Sequence, residues 1–341
     1  MASSELGLVA KQLVSRKKGI LAADESTSTM TKRLDSINVE STGETRRRWR
    51  QLLFKTPSIG DYISGVIMYD ETLRQLDDDG VRFVDLLAAS DILPGIKVDN
   101  STQELAGSPN EFITKGLDGL EGRLDEYSDL GARFAKWRAL LTIGDGHPSD
   151  HAIKTNACAL GRYSSLCQDR GLVPIVEPEI LMDGPHGISD CRSATTRVMN
   201  SVFTELDAQN VDLAGIVLKP NMVISGSDAP ERASAADVAR QTVECLLETV
   251  PPTVPGVAFL SGGQDDEESV VNLDSINKFA GKVAPWELTY SFGRALQAAP
   301  LAAWLGLNDR VQVARAAFEV RMFECSAARE GDLDMKRMSR A

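Results

Sequence analysis

Residues 173–180 read Val-Pro-Ile-Val-Glu-Pro-Glu-Ile, a nearly continuous apolar run that turns to carboxylates at its far end. A short run of this kind marks a strand buried on both faces of a parallel sheet. Side chains alternate along a strand, so Glu177 and Glu179 share one face. Seven further runs have the same form, at 19–24, 65–69, 95–99, 134–138, 215–219, 256–261 and 286–293. Successive starts along the eight runs lie 46, 30, 39, 39, 42, 41 and 30 residues apart, room for a strand, a loop and a helix each time. Eight regular βα units give an α/β fold, a closed (β/α)8 TIM barrel with additional N- and C-terminal helices. A doubly wound open sheet is the alternative, but no GxGxxG opens the first unit.

Helix signals fill the intervals. Ser149 and Asp150 precede a stripe of Ile153, Ala157, Leu160 and Cys167 that stops before Gly171. Ser189 is a candidate cap for Cys191, Ala194, Val198, Val202 and Leu206. Ser234 and Asp237 have capping-box spacing before Val238, Thr242, Cys245 and Leu246. Leu6, Val9, Leu13 and Val14 place a short helix at about residues 3–17, and a last helix with its tail spans about 308–341. The expected organisation is one catalytic barrel domain over residues 1–341.

The 341 residues are 43% hydrophobic and 25% charged, which excludes wholesale disorder. Thirty-seven basic against 49 acidic residues give a net charge of −12. That balance argues against nucleic acid or an anionic membrane as partner, although a local basic pocket can still hold a small anion. No apolar run approaches the length of a membrane span, and the first residues lack a secretion signal. Five cysteines without a CxxC argue against a disulfide framework or structural zinc. On helix stripes their default role is inert packing. The expected location is the cytoplasm, a plastid with the targeting segment already removed being the alternative.

In a barrel the chemistry gathers at the C-terminal strand ends. Asp24 ends the first run, Lys97 and Asp99 share a face of the third, Lys136 and Arg138 of the fourth, and Lys219 closes the sixth. Any one of these alone reads as a solvated charge at a strand end. Charges at matching ends of five strands do not. Lys219 follows the apolar residues 213–218 and precedes Pro220. It reads either as a snorkelling strand-end lysine or as an amine nucleophile, which a neighbouring cation such as Lys136 helps to keep neutral. A neutral amine adds to a ketone to give a carbinolamine and then an iminium, an electron sink for cleavage of the adjacent C–C bond. Glu177 is the candidate acid–base group for dehydration and Asp24 the candidate base for a hydroxyl. Paired carboxylates also suit a metal, but no histidine joins them in the pattern, so neither metal nor cofactor is expected. His147 and His151 fall at a loop and helix start, where capping or solvation suits them.

Glycine turns follow the last two runs, Ser261-Gly262-Gly263 and Phe292-Gly293-Arg294, where barrels often bind phosphate. Ser26, Thr29, Lys97 and Arg138 can form a second anion site opposite, and two such sites about a lysine suit a linear sugar bisphosphate. Residues 46–50, Arg-Arg-Arg-Trp-Arg, are expected to form a solvated helix face, with Arg33 or Arg46 at the pocket rim as the alternative.

Taken together, GILAADES at 19–26, GIKVD at 95–99, FAKWR at 134–138, VPIVEPEI at 173–180, LKPNM at 218–222, FLSGGQ at 259–264 and GRALQ at 293–297 closely resemble the class I, Schiff-base fructose-bisphosphate aldolases. The match runs in order from about residue 10 to 325. The resemblance implies that Lys219 forms the Schiff base, that Glu177 is the main acid–base carboxylate assisted by Glu179 and Lys136, and that Asp24 handles the C4 hydroxyl proton. It implies one phosphate site from Ser261, Gly262, Gly293 and Arg294, and another lined by Ser26, Thr29, Lys97, Arg33 and Arg138. It further implies reversible cleavage of fructose 1,6-bisphosphate to dihydroxyacetone phosphate and glyceraldehyde 3-phosphate in glycolysis and gluconeogenesis, without a metal, by a homotetramer. Cytoskeletal partners are known among relatives, but no stretch of this sequence identifies such a surface. Thr29 stands where relatives commonly carry serine, and the hydroxyl is kept. Many eukaryotic relatives end in a tyrosine that assists proton exchange on the enamine. Here the last tyrosine is Tyr290 and residues 335–341 read Met-Lys-Arg-Met-Ser-Arg-Ala, so activity is expected to persist without that assistance. The alternatives are a Schiff-base lyase or transaldolase acting on a monophosphate, and a non-catalytic scaffold.

Overall fold

Eight strands, β1 (Gly19–Ala23), β2 (Ile63–Met68), β3 (Leu93–Lys97), β4 (Phe134–Leu141), β5 (Val173–Ile180), β6 (Val217–Leu218), β7 (Gly256–Phe259) and β8 (Glu287–Phe292), pair in parallel in chain order, and β8 pairs back onto β1 to close a barrel. Every strand overlaps one of the eight apolar runs. The structure is a computed structural model and describes residues 2–281 and 283–333.

Alternation along the strands divides the core in two. Ile20, Ala22, Ile67, Leu93, Phe134, Val173, Ile175, Val217 and Ala258 point inward and form one cluster with Leu6, Val9, Ala10, Leu13 and Val14. The N-terminal helix therefore plugs the floor of the barrel. It spans Ala2–Leu13 rather than reaching residue 17, because the chain must turn up into β1, and Lys17 takes a left-handed φ of 62° on the way. Glycines in the strands make room for this plug. A Cβ on Gly65 would lie 2.6 Å from the Leu13 side chain, and one on Gly95 only 2.1 Å from the Phe134 ring. The outward residues, Trp137, Val176, Leu218 and Phe259 among them, pack against the helices in the larger core.

The helices follow their local signals. Ser149 caps Asp150–Asp169 by accepting from the Ala152 N–H. Ser234 caps Ala235–Thr249 by accepting from Asp237. Ser189 does not cap. The helix Ile188–Ala208 starts two residues earlier than that cap would place it, with Gly187 at the cap and its N–H donating 3.1 Å to Asp190. Val311–Arg329 lies outside the repeat against Arg294–Trp304 and Asp266–Ala280. Cys167, Cys191, Cys245 and Cys325 are buried and Cys158 half-buried, all as free thiols. Burial raises the Cys191 thiol to about 11 and the Cys325 thiol to about 12, which suits inert packing. An antiparallel hairpin, Thr102–Leu105 with Ser108–Thr114, is inserted between β3 and β4 and has no counterpart in the expected repeat.

Candidate active site

The inward faces that carry Ile20 and Ala22, Ile175, Phe134 and Val217 continue upward into charge. Asp24 comes two residues after Ala22, Glu177 two after Ile175, Lys136 and Arg138 two and four after Phe134, and Lys219 two after Val217. Register levels them: Lys97 stands beside Lys136, and Arg138 beside Glu177. They line a cavity of about 650 Å³ at the C-terminal mouth, a volume that suits a small ligand.

The charges form a chain. Lys136 Nζ lies 3.1 Å from Asp24 Oδ2 and 2.8 Å from Glu177 Oε2, and Lys219 Nζ lies 3.0 Å from Glu177 Oε1. Burial alone would favour the neutral carboxyl of Asp24, but Lys136, Lys219 and Lys97 outweigh it and hold its pKa well below the usual carboxylate range. Glu177 is shifted the same way, with burial opposed by Lys136, Lys219 and Arg138. Burial works against the charge of Lys136, but Asp24 and Glu177 prevail and raise its pKa. Alternating signs are what make so many buried charges tolerable, since an unpaired one would cost several kcal/mol. Beside this chain Arg138 pairs with Glu179, and Lys97 Nζ lies 2.8 Å from Asp99.

Ser26 Oγ lies 3.1 Å from Thr29 Oγ1 at the start of the helix Thr27–Asp35, on the wall formed with Lys97 and Arg138. Ser261, Gly262 and Gly293 line the cavity from the ends of β7 and β8. A Cβ on Gly262 would sit 2.9 Å from Glu179 Oε1 and displace that carboxylate. Arg33 also lines the cavity, and its Nη2 lies 3.9 Å from where a Cβ on Gly293 would be, close to the β8 turn. Arg294 is turned away. Its Nη2 donates 2.6 Å to the Gln264 carbonyl, and it lines a neighbouring depression with Asp265 and Asp266. The Gln264 carbonyl offers the guanidinium a ready acceptor there.

The basic stretch 46–50 is not a solvated face. Arg46 pairs with Glu71, Arg47 with Glu44 and Asp78, and Arg50 is buried against Glu25. Its helix, Gly43–Phe54, packs on the barrel, so at least one arginine must face inward. His151 Nδ1 lies 3.0 Å from Ser108 Oγ, and His147 Nδ1 lies 3.3 Å from Glu111, away from the cavity. Among the described residues no group of His, Cys, Asp and Glu is placed to hold a metal ion. Sequence reasoning missed Glu25, Tyr69, Ser101 and Ser291 in the cavity wall. Ser291 had a readable signal, two residues before Gly293 on the same face of β8. The others come from loops, where no periodicity directs a side chain. Residues 335–341, named for the missing tyrosine, lie outside the described residues.

A barrel whose charged groups converge at the C-terminal strand ends is the architecture of an enzyme. The family model described as "Fructose-bisphosphate aldolase class-I" matches residues 5–341, and the chain belongs to that family of carbon–carbon lyases. It is 51% identical over 304 residues to a probable class 1 fructose-bisphosphate aldolase of Xanthomonas campestris, covering 89% of this chain and 90% of that one. It is 52% identical over 304 residues to the cytosolic fructose-bisphosphate aldolase 4 of Arabidopsis thaliana, covering 89% and 77%. Among solved structures, the fructose-bisphosphate aldolase of Plasmodium falciparum, in complex with TRAP and a small-molecule inhibitor, superposes with a TM-score of 0.96 at 47% identity, covering 98% of this chain and 96% of that one.

Proposed function

We propose that Lys219 is the amine through which this class I aldolase cleaves fructose 1,6-bisphosphate. The observation that carries the assignment is the buried chain Lys219–Glu177–Lys136–Asp24, each link about 3 Å long. Lys219 Nζ adds to the C2 carbonyl. Glu177, within hydrogen-bond reach of that nitrogen, takes up the protons that Nζ gives up on addition and passes them to the C2 oxygen, so that water leaves and the iminium forms. Asp24 takes the C4 hydroxyl proton, the C3–C4 bond breaks, and its electron pair enters the iminium to give an enamine. Glyceraldehyde 3-phosphate departs, the enamine is protonated at C3, and hydrolysis releases dihydroxyacetone phosphate. Lys136 holds both carboxylates in place, and Arg138 orients Glu179 beside the dehydration site.

One phosphate would sit against Ser261, Gly262, Gly293 and Arg33, with Arg294 swinging in from Gln264. The other would meet Lys97, Arg138, Ser26 and Thr29. Incubation with dihydroxyacetone phosphate and EDTA, then borohydride, should leave a reduced adduct on the Lys219 peptide. An adduct elsewhere overturns the assignment, and EDTA-sensitive cleavage without an adduct overturns the mechanism.

We also infer a homotetramer in the cytoplasm. Relatives named cytosolic and the absence, among the described residues, of any helix long and apolar enough to cross a membrane support the location. Light scattering that returns a monomer mass overturns the tetramer.

A further inference from the structure

Glu25 follows β1 and is the meeting point of three helices. Its Oε1 accepts from Arg33 and, at 2.9 Å, from Gln297 Nε2, while its Oε2 accepts from Arg50 Nη2 at 2.6 Å. Gln297 completes a buried clamp. Its Oε1 accepts from Arg50 Nη1 and Trp49 Nε1, each at 3.2 Å, and its Nε2 also donates 2.8 Å to the Ala22 carbonyl. One carboxylate thus serves two guanidiniums of different standing. Arg50 is 2% exposed and locked by Gln297, whereas Arg33 is 26% exposed, lines the cavity and reaches the Gly293 turn.

We propose that Arg50, fixed by Gln297, is a permanent counter-ion to Glu25 that frees Arg33 to bind the substrate phosphate. The inference rests on the reading of Arg33 as a phosphate ligand. For Arg33 to pair with an anion it must loosen its hold on Glu25. A nearly buried carboxylate left alone would pull it back. With Arg50 in place, Glu25 stays compensated when Arg33 moves, and the spare positive charge of the cluster is offered to the cavity. Arg50 touches no substrate and is a positioning residue. It also explains why one arginine of the 46–50 stretch is turned into the protein.

The test is steady-state kinetics on the full chain, with inorganic phosphate as a competing anion. Without Arg50, Glu25 traps Arg33. If a tenth as many molecules carry it free, the KM for fructose 1,6-bisphosphate rises about tenfold. Arg50→Met is expected to do this, to raise the phosphate inhibition constant in parallel, and to leave kcat within about twofold. Adding Glu25→Gln to Arg50→Met removes the trap and should return KM most of the way, an outcome a purely structural role for Arg50 does not give. Should Arg50→Met fail to fold, Arg50→Lys carries the same test with a smaller rise in KM, again reversed by Glu25→Gln. An unchanged KM, or a rise that Glu25→Gln does not reverse, overturns the proposal. Arg33→Ala separates the two readings. If it leaves KM unmoved, the phosphate role of Arg33 fails. If it raises KM while the Arg50 variants do not, only the counter-ion proposal fails.

Discussion

Glu177 lies between two lysines at ion-pair distance, 2.8 Å from Lys136 and 3.0 Å from Lys219, and this double contact sets what its substitution does. Glu177→Gln keeps the shape but removes the proton donor and a charge that both lysines need. We expect kcat to fall by about 10²–10⁴-fold, the range for loss of a positioned general acid–base, with borohydride trapping at Lys219 slowed in parallel. The same charges fix the response to pH. Asp24 and Glu177 have folded-state pKa values below their unfolded ones. Each adds stability that is complete above the unfolded value, about 4, and is lost as the pH falls through the folded one. Lys136 is shifted upward, so its contribution is complete below its unfolded value, about 10, and is lost as the pH rises through the folded one. The thermal midpoint should therefore fall between about pH 4 and pH 2. Asp24→Asn should make that fall shallower, and an equal slope in the variant would remove Asp24 from the account.

At the scale of elements, local signals decide the structure where backbone chemistry enforces them and not elsewhere. Ser149 and Ser234 cap as their spacing indicates. Ser189 loses to Gly187, because Asp190 can reach back to the earlier N–H. Ser234→Ala should cost about 1 kcal/mol in urea denaturation, the usual worth of such a cap. An unchanged midpoint would show that Asp237 alone serves the helix end. The hairpin Thr102–Leu105 and Ser108–Thr114 escaped the repeat logic because its strands are short and partly exposed. It matters to the cavity, since Asn100, Ser101 and Thr102 leave β3 along its wall.

Across the whole molecule, the floor and mouth of one barrel are made by the same alternation. Below, the inward positions are apolar and meet the N-terminal helix. Above, they are charged and meet each other. Leu13 joins the floor to that helix and is fully buried, so Leu13→Ala should destabilise the fold by about 2–5 kcal/mol. The folded protein should keep its KM, because the floor and the mouth are separate layers of the barrel. A large change in KM would mean the plug also shapes the mouth. The amino-acid sequence by itself determined the eight strands and which residues face inward at their ends, because a strand's period of two is set by covalent geometry and needs no partner. Only the tertiary structure decided who pairs with whom. Asp24 meets Lys136 across 112 positions of chain, a contact set by closure and register. Arg50 faces the core while its neighbours pair at the surface, and Arg294 turns to Gln264, because a long side chain takes the acceptor that folding places within reach.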